Sequence, residues 1–425
     1  MAEMKGLRRH YNWDVTTKTN LTYPEHPSQS GVCSLCIRCG KCEIGLKAKV
    51  GRTLYPEPFG FDQFGAEKRL PGLQDIQILP ELFGVGNFFT KVKTECEIGG
   101  FKCSLPVAIG AMGSTKVAST IADAVSQGAA AAGIVRVIGE NIMATFGREG
   151  LKCMIDPFLN HYEKLGAIIV QASYTDMKLK ALETGVELGA QAIELKFGQG
   201  AKQGLGGEIT FEGKVYAKKY EELGYLIIEH DEKTFERHTH PGSLIRQTFV
   251  EQLKKYSELG VPIWIKIGVG SGIYEFLKLC QEVRKKENIK IECVTIDGHG
   301  GGTGMSPWII MNETSLPSIA ALENIGKMKL DFDILVAGGF ADGVDAAKAM
   351  MLGAKGVAMA RPFLIAANTD RTKGIVNFIN ALKEELQMVC CAQRVYDVKE
   401  LQKKRKNLIA LSQSASKMFG LPQKL

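Results

Sequence analysis

From residue 106 onward the hydrophobic positions come in short unbroken runs rather than in alternation. The runs are Pro106–Ala111, Ile134–Ile138, Ala167–Gln171, Ala192–Phe197, Pro262–Ile267, Ile291–Ile296, Asp333–Ala337 and Gly356–Met359. Continuous apolarity of this length suits strands buried on both faces. Between the runs lie stretches whose apolar residues recur at helical spacing, among them Lys116–Gln127, Asp176–Leu188, Ser243–Leu259, Gly272–Lys286 and Gly343–Leu352. Eight such units over roughly 280 residues are the count of a (β/α)8 TIM barrel, an α/β fold. A doubly wound open sheet is the alternative, and it more often carries its nucleotide loop at the first turn.

Two features interrupt the rhythm. Gly99-Gly100, between Glu95–Ile98 and Phe101–Ser104, predicts a hairpin just before the first strand. From Gly198 to Pro241 more than forty residues separate the fourth strand from its helix, a length that marks a lid or binding element at the C-terminal face. Residues 1–75 are rich in turn formers and cysteine, and the helical pattern of Val376–Lys404 supplies an eighth helix and leads into a tail. The expected organisation is a cysteine-rich segment over 1–75, a barrel over 76–385 and a helical extension over 386–425.

Composition narrows the partners. Of 425 residues, 45% are hydrophobic and 23% charged, enough to bury a large core. The net charge of +7 is scattered, and the single basic run Lys403-Lys404-Arg405-Lys406 reads as a solvated helix face, so nucleic acid is not expected. No stretch approaches the roughly 18 apolar residues of a membrane span, and a cytoplasmic location is expected. Cys103, Cys153, Cys280 and Cys293 stand singly in apolar or amphipathic contexts and read as small core hydrophobes.

The candidate chemistry falls into three groups. Glycine-rich loops follow the late strands: Asp297–Pro307, with Gly301, Gly302 and Thr303, after the sixth, Gly338-Gly339 after the seventh, and Ala360-Arg361 after the eighth. Glycines let backbone N–H groups converge on an anion, and barrels hold phosphates at these loops. A phosphate-bearing cofactor and a phosphorylated substrate both fit. Lys196 and Lys266 lie inside apolar runs, where an ammonium needs an anionic or acceptor partner. Beside a flavin each would stabilise negative charge on the reduced ring, with Gln171 at the ring edge, whereas a snorkelling side chain is the plainer alternative. Cys33, Cys36, Cys39 and Cys42 follow three consecutive C-x2-C steps, close to the ferredoxin run, and suit a [4Fe–4S] cluster, with tetrahedral zinc as the alternative.

Taken together these residues resemble the FMN-binding synthase domain of glutamate synthase, in its archaeal-type, stand-alone form. The likeness runs from about Asp75 to Ala366 and keeps its order: Gly110-Ala111-Met112-Gly113-Ser114, Gly139-Glu140-Asn141, Gln171-Ala172-Ser173, Lys196-Phe-Gly-Gln-Gly-Ala-Lys202 with Gly206-Gly207, then Asp297–Pro307 and Gly338-Gly339. The resemblance implies FMN held with its phosphate at the loops after the seventh and eighth strands. It also implies hydride delivery to 2-iminoglutarate, formed from 2-oxoglutarate and ammonia. By the same carry-over Ala111, Met112, Gly113, Gln171 and Lys196 contact the flavin, Lys202 faces the substrate carboxylate, and Glu140 lies near the reacting centre. Glu208 and Ser306 are placed toward the substrate. His299 either orients a phosphate or substrate oxygen or shapes its loop.

The chain departs from that pattern in places. Ala2 follows Met1 where glutamine-dependent members begin with a cysteine nucleophile, Tyr174-Thr175 replaces a Gly-Arg pair, and position 208 is Glu. A separate glutaminase subunit or free ammonia would supply nitrogen, and a ferredoxin or an NAD(P)H reductase subunit would supply electrons through the cysteine cluster. Assembly into a homo-oligomer is left open. The alternatives are the same cofactors acting on another small acid, with Glu208, Arg237, His238 and His240 as substrate groups, or an electron-relay subunit without a substrate of its own.

Overall fold

The computed structural model describes residues 70–205, 208–229, 232–300 and 314–424, together with the two-residue strands Thr22–Tyr23 and His26–Pro27. The side chains of residues 22, 23, 26, 27, 116, 117 and 208–210 are outside this description.

Eight parallel strands close a barrel: β1 (Val107–Met112), β2 (Val135–Ile138), β3 (Ala167–Ala172), β4 (Ala192–Lys196), β5 (Ile263–Gly268), β6 (Ile291–Asp297), β7 (Asp333–Ala337) and β8 (Gly356–Met359). Closure runs through pairing of β8 with β1 and of β4 with β5. The fold is the TIM barrel expected from the eight runs, which are buried on both faces because helices cover the outside and side chains fill the inside. The open-sheet alternative is excluded by that closure.

The floor of the barrel is built by the glycine pair. Cys96–Ile98 and Phe101–Cys103 form an antiparallel hairpin whose turn residues Gly99 and Gly100 have φ of 52° and 89°. The Trp264 indole N–H donates to Gly99 O at 3.1 Å, and Gly99 N donates to Asp333 Oδ2 at 2.8 Å, so the hairpin plugs the N-terminal ends of β5 and β7.

The long connection after β4 contains a folded insert. The helix Lys214–Glu222 and three antiparallel strands, Glu208–Glu212, Leu226–Glu229 and Thr234–His238, make it up, with Thr234–His238 in the centre of the sheet. Downstream, one helix spans Arg361–Ala392 with a break at Asp370 and Arg371, and Leu408–Ala410 pairs antiparallel with Ile76–Ile78.

Several local expectations need correction. The stretch Lys116–Gln127 is two helices, Lys116–Thr120 and Ala122–Ala132. Asp176–Leu188 is likewise broken, at Lys180, whose φ of 55° no helix accommodates. The pattern through Lys404 overruns the helix, which ends at Ala392. The basic run is not a solvated helix face: Arg405 donates to Leu352 O and Phe419 O at 2.9 and 2.7 Å, and Lys404 pairs with Glu81 at 3.4 Å. Cys153 is exposed, whereas Cys103, Cys280 and Cys293 are buried. Among the described residues no helix is long and apolar enough to cross a membrane.

Candidate active site at the C-terminal mouth of the barrel

The loops after β1 and β2 touch through their backbones. Gly139 N donates to Met112 O at 2.9 Å. A Cβ on Gly139 would stand 2.5 Å from the Met112 carbonyl carbon, and one on Gly113 would stand 2.6 Å from Glu140 O, so only glycine permits this approach. The contact sets Ala111 and Met112, both half-buried, beside the residue that enters the site, Glu140.

Lys196 ends β4 and meets Glu140 there. Its ammonium donates to Glu140 Oε1 and, at 2.5 Å, to the side-chain oxygen of Gln199, with the Lys196 and Glu140 side chains 8% and 13% exposed. Burial alone would push the Glu140 carboxyl up. Lys196 and Lys202 outweigh it, with a hydrogen bond from Ser173, and hold the group below its ordinary range. Glu140 is thus a carboxylate, able to face a cation or accept hydrogen bonds.

Beneath this pair the barrel interior is polar. Side chains on one face of a strand recur every second residue, and Glu194 shares the inward face of β4 with Lys196. Gln171 on β3 donates to Glu194 Oε2 at 2.5 Å, and Thr295 on β6 donates to Oε1 at 3.2 Å. Lys266 on β5 lies 3.4 Å from Asp297 Oδ2. Burial raises the Glu194 carboxyl; it also opposes the Lys266 charge, but Asp297 and Glu194 overcome that and raise the lysine.

A cavity of about 20 Å³ opens above, lined by Glu140, Ser173, Lys196, Gln199, Lys202 and His240 among others. Lys202 is 3% exposed, on a short turn at Gly200–Lys202 that presses against the loop after β6; a Cβ on Gly200 would lie 2.2 Å from the Gly298 carbonyl carbon. A second cavity of about 200 Å³ shares Lys196, Tyr174 and Phe197 and extends toward Gln203, Leu244 and Gln252. His240 Nδ1 accepts from Gly242 N at 2.9 Å, which leaves Nε2 as the protonated nitrogen, and its ring packs on Tyr174 at 4.9 Å between centroids.

The later loops form a third site. His299, Gly300, Ser318, Gly338 and Gly339 line a cavity of about 60 Å³, closed on one side by Gly72 and Leu73. Gly338 and Gly339 have φ of 94° and 97°, a backbone that glycine adopts and a side chain would strain. The buried Ser318 hydroxyl has no hydrogen-bond partner among the described residues. Ala360 precedes the helix that Arg361 opens at the end of β8.

The structure therefore brings Glu140, Lys196 and Lys202 into one cavity and His299, Gly338 and Gly339 into another, with Gln171 buried below. Gly301, Gly302, Thr303, Ser306, the Glu208 side chain and the cysteines at 33, 36, 39 and 42 lie outside the described residues. Among the described residues no cluster of His, Cys, Asp or Glu could hold a metal ion. Arg237 is not at the mouth: it is buried, stacked on Tyr220 and Tyr225 at 4.3 and 4.7 Å. His238 is paired with Glu236 at 2.8 Å inside the inserted sheet. Of these three basic candidates, His240 reaches the cavity. Sequence reasoning missed Gln199, Glu194, Asp297 and Ser318; the two-residue spacing of Glu194 and Lys196 was the available signal for one of them.

Residues 81–374 match the family described as the conserved region in glutamate synthase. The chain is 26% identical over 272 residues to a glutamate synthase large subunit-like protein of Rhizobium meliloti, covering 62% of this chain and 55% of that one. It is 29% identical over 185 residues to the archaeal glutamate synthase [NADPH] of Archaeoglobus fulgidus, covering 42% and 34%. It is also 31% identical over 176 residues to the L-lactate dehydrogenase (cytochrome) of Saccharomyces cerevisiae, covering 41% and 27%. The chain thus spans at most about half the length of these relatives. Among solved structures, flavocytochrome b2 superposes with a TM-score of 0.56 at 20% identity over 79% of this chain and 76% of that one, a likeness of fold.

Proposed function

The chain belongs to the glutamate synthase family, and from that premise we propose that it is an FMN-dependent oxidoreductase that reduces 2-iminoglutarate, formed from 2-oxoglutarate and ammonia, to glutamate. The observation that carries this reading is the Lys196–Glu140 pair, set in one cavity with the buried Lys202.

The residues fit a bound FMN. The glycine cradle at 338–339 and the Ser318 hydroxyl would hold its phosphate, where a side chain at either glycine would be strained. Lys266 and Gln171 would face the pyrimidine edge, the lysine offsetting negative charge there. FMN, when bound, supplies the hydride.

The chain's own part is binding and charge. Lys202 would pair with a substrate carboxylate, which needs a charge-assisted donor once buried. Glu140, kept ionised by Lys196 and Lys202, would sit beside the cationic nitrogen of a protonated imine and stabilise it. Hydride addition to such an iminium yields a neutral amine, so Glu140 need not deliver a proton at that step. Gln199 holds the Lys196 ammonium in place. The iron–sulfur cluster on Cys33, Cys36, Cys39 and Cys42, an external ferredoxin or NAD(P)H reductase, and a separate glutaminase belong to the same proposal. Iron and sulfide analysis of anaerobically purified protein tests the first.

A second reading, oxidation of a small 2-hydroxy acid, draws on the local likeness to L-lactate dehydrogenase and on the Tyr174–His240 pair at the mouth. The anaerobic experiment that separates the two adds 2-oxoglutarate and ammonia to reduced protein and, separately, 2-hydroxy acids to oxidised protein.

A further inference from the structure

Asn141 follows Glu140 in the chain and takes a φ of 68°, a left-handed conformation that asparagine tolerates better than most side chains. It is held from two directions. Its N–H donates to Asp176 Oδ1 at 2.9 Å. Its own Oδ1 accepts from the Tyr225 hydroxyl at 2.9 Å and from the Thr239 hydroxyl at 3.4 Å. Tyr225 immediately precedes the inserted strand Leu226–Glu229, and Thr239 immediately follows Thr234–His238. Arg237, stacked on the Tyr225 ring, adds a bond to Thr145 Oγ1 at 3.3 Å, on the helix that Asn141 caps.

Asp176 ties the other end. Its Oδ2 accepts from the backbone N–H and the hydroxyl of Ser173 at 3.1 and 2.7 Å, and Ser173, which lines the same cavity as Glu140, also helps hold the Glu140 carboxyl down. Asp176, Asn141, Ser173 and Tyr225 are all buried. In such a network a bond lost at one end leaves an unsatisfied polar group that disturbs the next, so its members move together.

We propose that Asp176 and Asn141 are positioning residues that make the seating of the inserted sheet and the placement of Glu140 a single cooperative event. The catalytic half of this rests on the role given to Glu140 above; the structural half does not. The Ser173 hydroxyl has one proton, so it donates to Asp176 or to Glu140 but not to both at once. Asp176 therefore competes with Glu140 for that proton. The groups facing Asp176 are Glu140, Ser173, the Asn141 N–H and Tyr225; those facing Glu140 are Lys196, Lys202, Lys266, Ser173, Asp176 and Tyr225. Replacing Asp176 by an uncharged residue removes the competing carboxylate.

The test compares Tyr225→Phe, Asn141→Gly and Asp176→Asn with the unmodified protein. Glycine at 141 keeps the positive φ and deletes only the side-chain acceptor. Hydrogen–deuterium exchange over 226–229 and 234–238 should speed up about fivefold or more in the first two variants, the effect of one lost buried hydrogen bond. Their kcat should fall by about tenfold with KM for the acid less affected, as for a group placed for the transition state. Flavin affinity, read by fluorescence quenching, should stay within about threefold, since one neutral bond remote from the phosphate cradle is lost. Asp176→Asn should in addition displace the acidic limb of the pH–kcat profile, whereas Tyr225→Phe should not. Unchanged exchange in both Tyr225→Phe and Asn141→Gly overturns the coupling. So does an Asp176→Asn enzyme whose activity falls only with its folded fraction while its pH profile stays put. Should the unmodified protein not turn over the imine at all, the functional reading fails and the exchange result alone decides the coupling.

Discussion

Lys196 and Glu140 neutralise each other at the mouth of the barrel, and neither is placed to be solvated if the other is removed. Lys196→Met therefore leaves a buried carboxyl that has lost its direct ion-pair partner and keeps only the weaker influence of Lys202, and loss of one partner of such a pair costs roughly 3–5 kcal/mol. The sign with pH is specific. In the unmodified protein Glu140 lies below its ordinary 4.5, so its contribution to stability is present above that pH and is lost as pH falls through the folded value. Without Lys196 burial raises it, and the variant loses stability as pH rises past the same point. Urea unfolding should show a gap between the two proteins that is wide at pH 8 and narrows below about pH 5. The double variant Lys196→Met/Glu140→Gln should recover most of it.

Asp176 makes the opposite contribution. Burial first, and then the Glu140 charge, raise its carboxyl from 3.8 to about 6. A raised folded pKa gives stability that is full below 3.8 and is lost as pH climbs to about 6. The loss is on the order of 2–3 kcal/mol. Comparing the unfolding free energies of Asp176→Asn and the unmodified protein across that window should show this slope in the latter and not in the variant.

Gly139→Ala should damage the site while leaving the barrel folded. Its Cβ would stand 2.5 Å from Met112 backbone, so the loops after β1 and β2 must part. Overpacking of this kind costs about 1–3 kcal/mol. Flavin affinity should fall about tenfold or more if that strain is relieved by moving Met112 and Glu140. Gly326→Ala, whose added Cβ meets nothing within 4 Å, is the matched control.

The barrel floor can be broken without touching the mouth. A Cβ on Gly99 would lie 2.4 Å from the buried Trp264 ring, at a φ of 52°. Gly99→Ala should lower the unfolding free energy by about 2–4 kcal/mol. The flavin affinity of the folded fraction should be unchanged.

The strands were legible because burial on both faces leaves an unambiguous mark. Asp333–Ala337 and Gly356–Met359 have the same limits in sequence and structure, and the other six shift by a residue or so. The site was legible where glycine must allow close approach, as at Gly113 and Gly139, and where a charge interrupts an apolar run, as at Lys196 and Lys266. Asp176 and Asn141 were not legible as a pair. They lie 35 residues apart, Asn141 at the start of the helix after β2 and Asp176 in the short helix after β3, and nothing in local periodicity records that one carboxylate will meet the other's N–H. The helix break at Lys180 was hidden for a related reason, since apolar spacing continues across it. Arg237 looked like a substrate group because sequence shows its charge and not the two tyrosine rings that cover it.

The most direct test of the proposed activity is the anaerobic visible spectrum of the flavin-loaded, photoreduced protein on addition of 2-oxoglutarate with ammonia. Return of the oxidised flavin bands, with glutamate formed in equal amount and slowed by Lys202→Ala without loss of flavin, is the predicted result. Flavin that stays reduced with both reagents present would contradict the glutamate synthase reading.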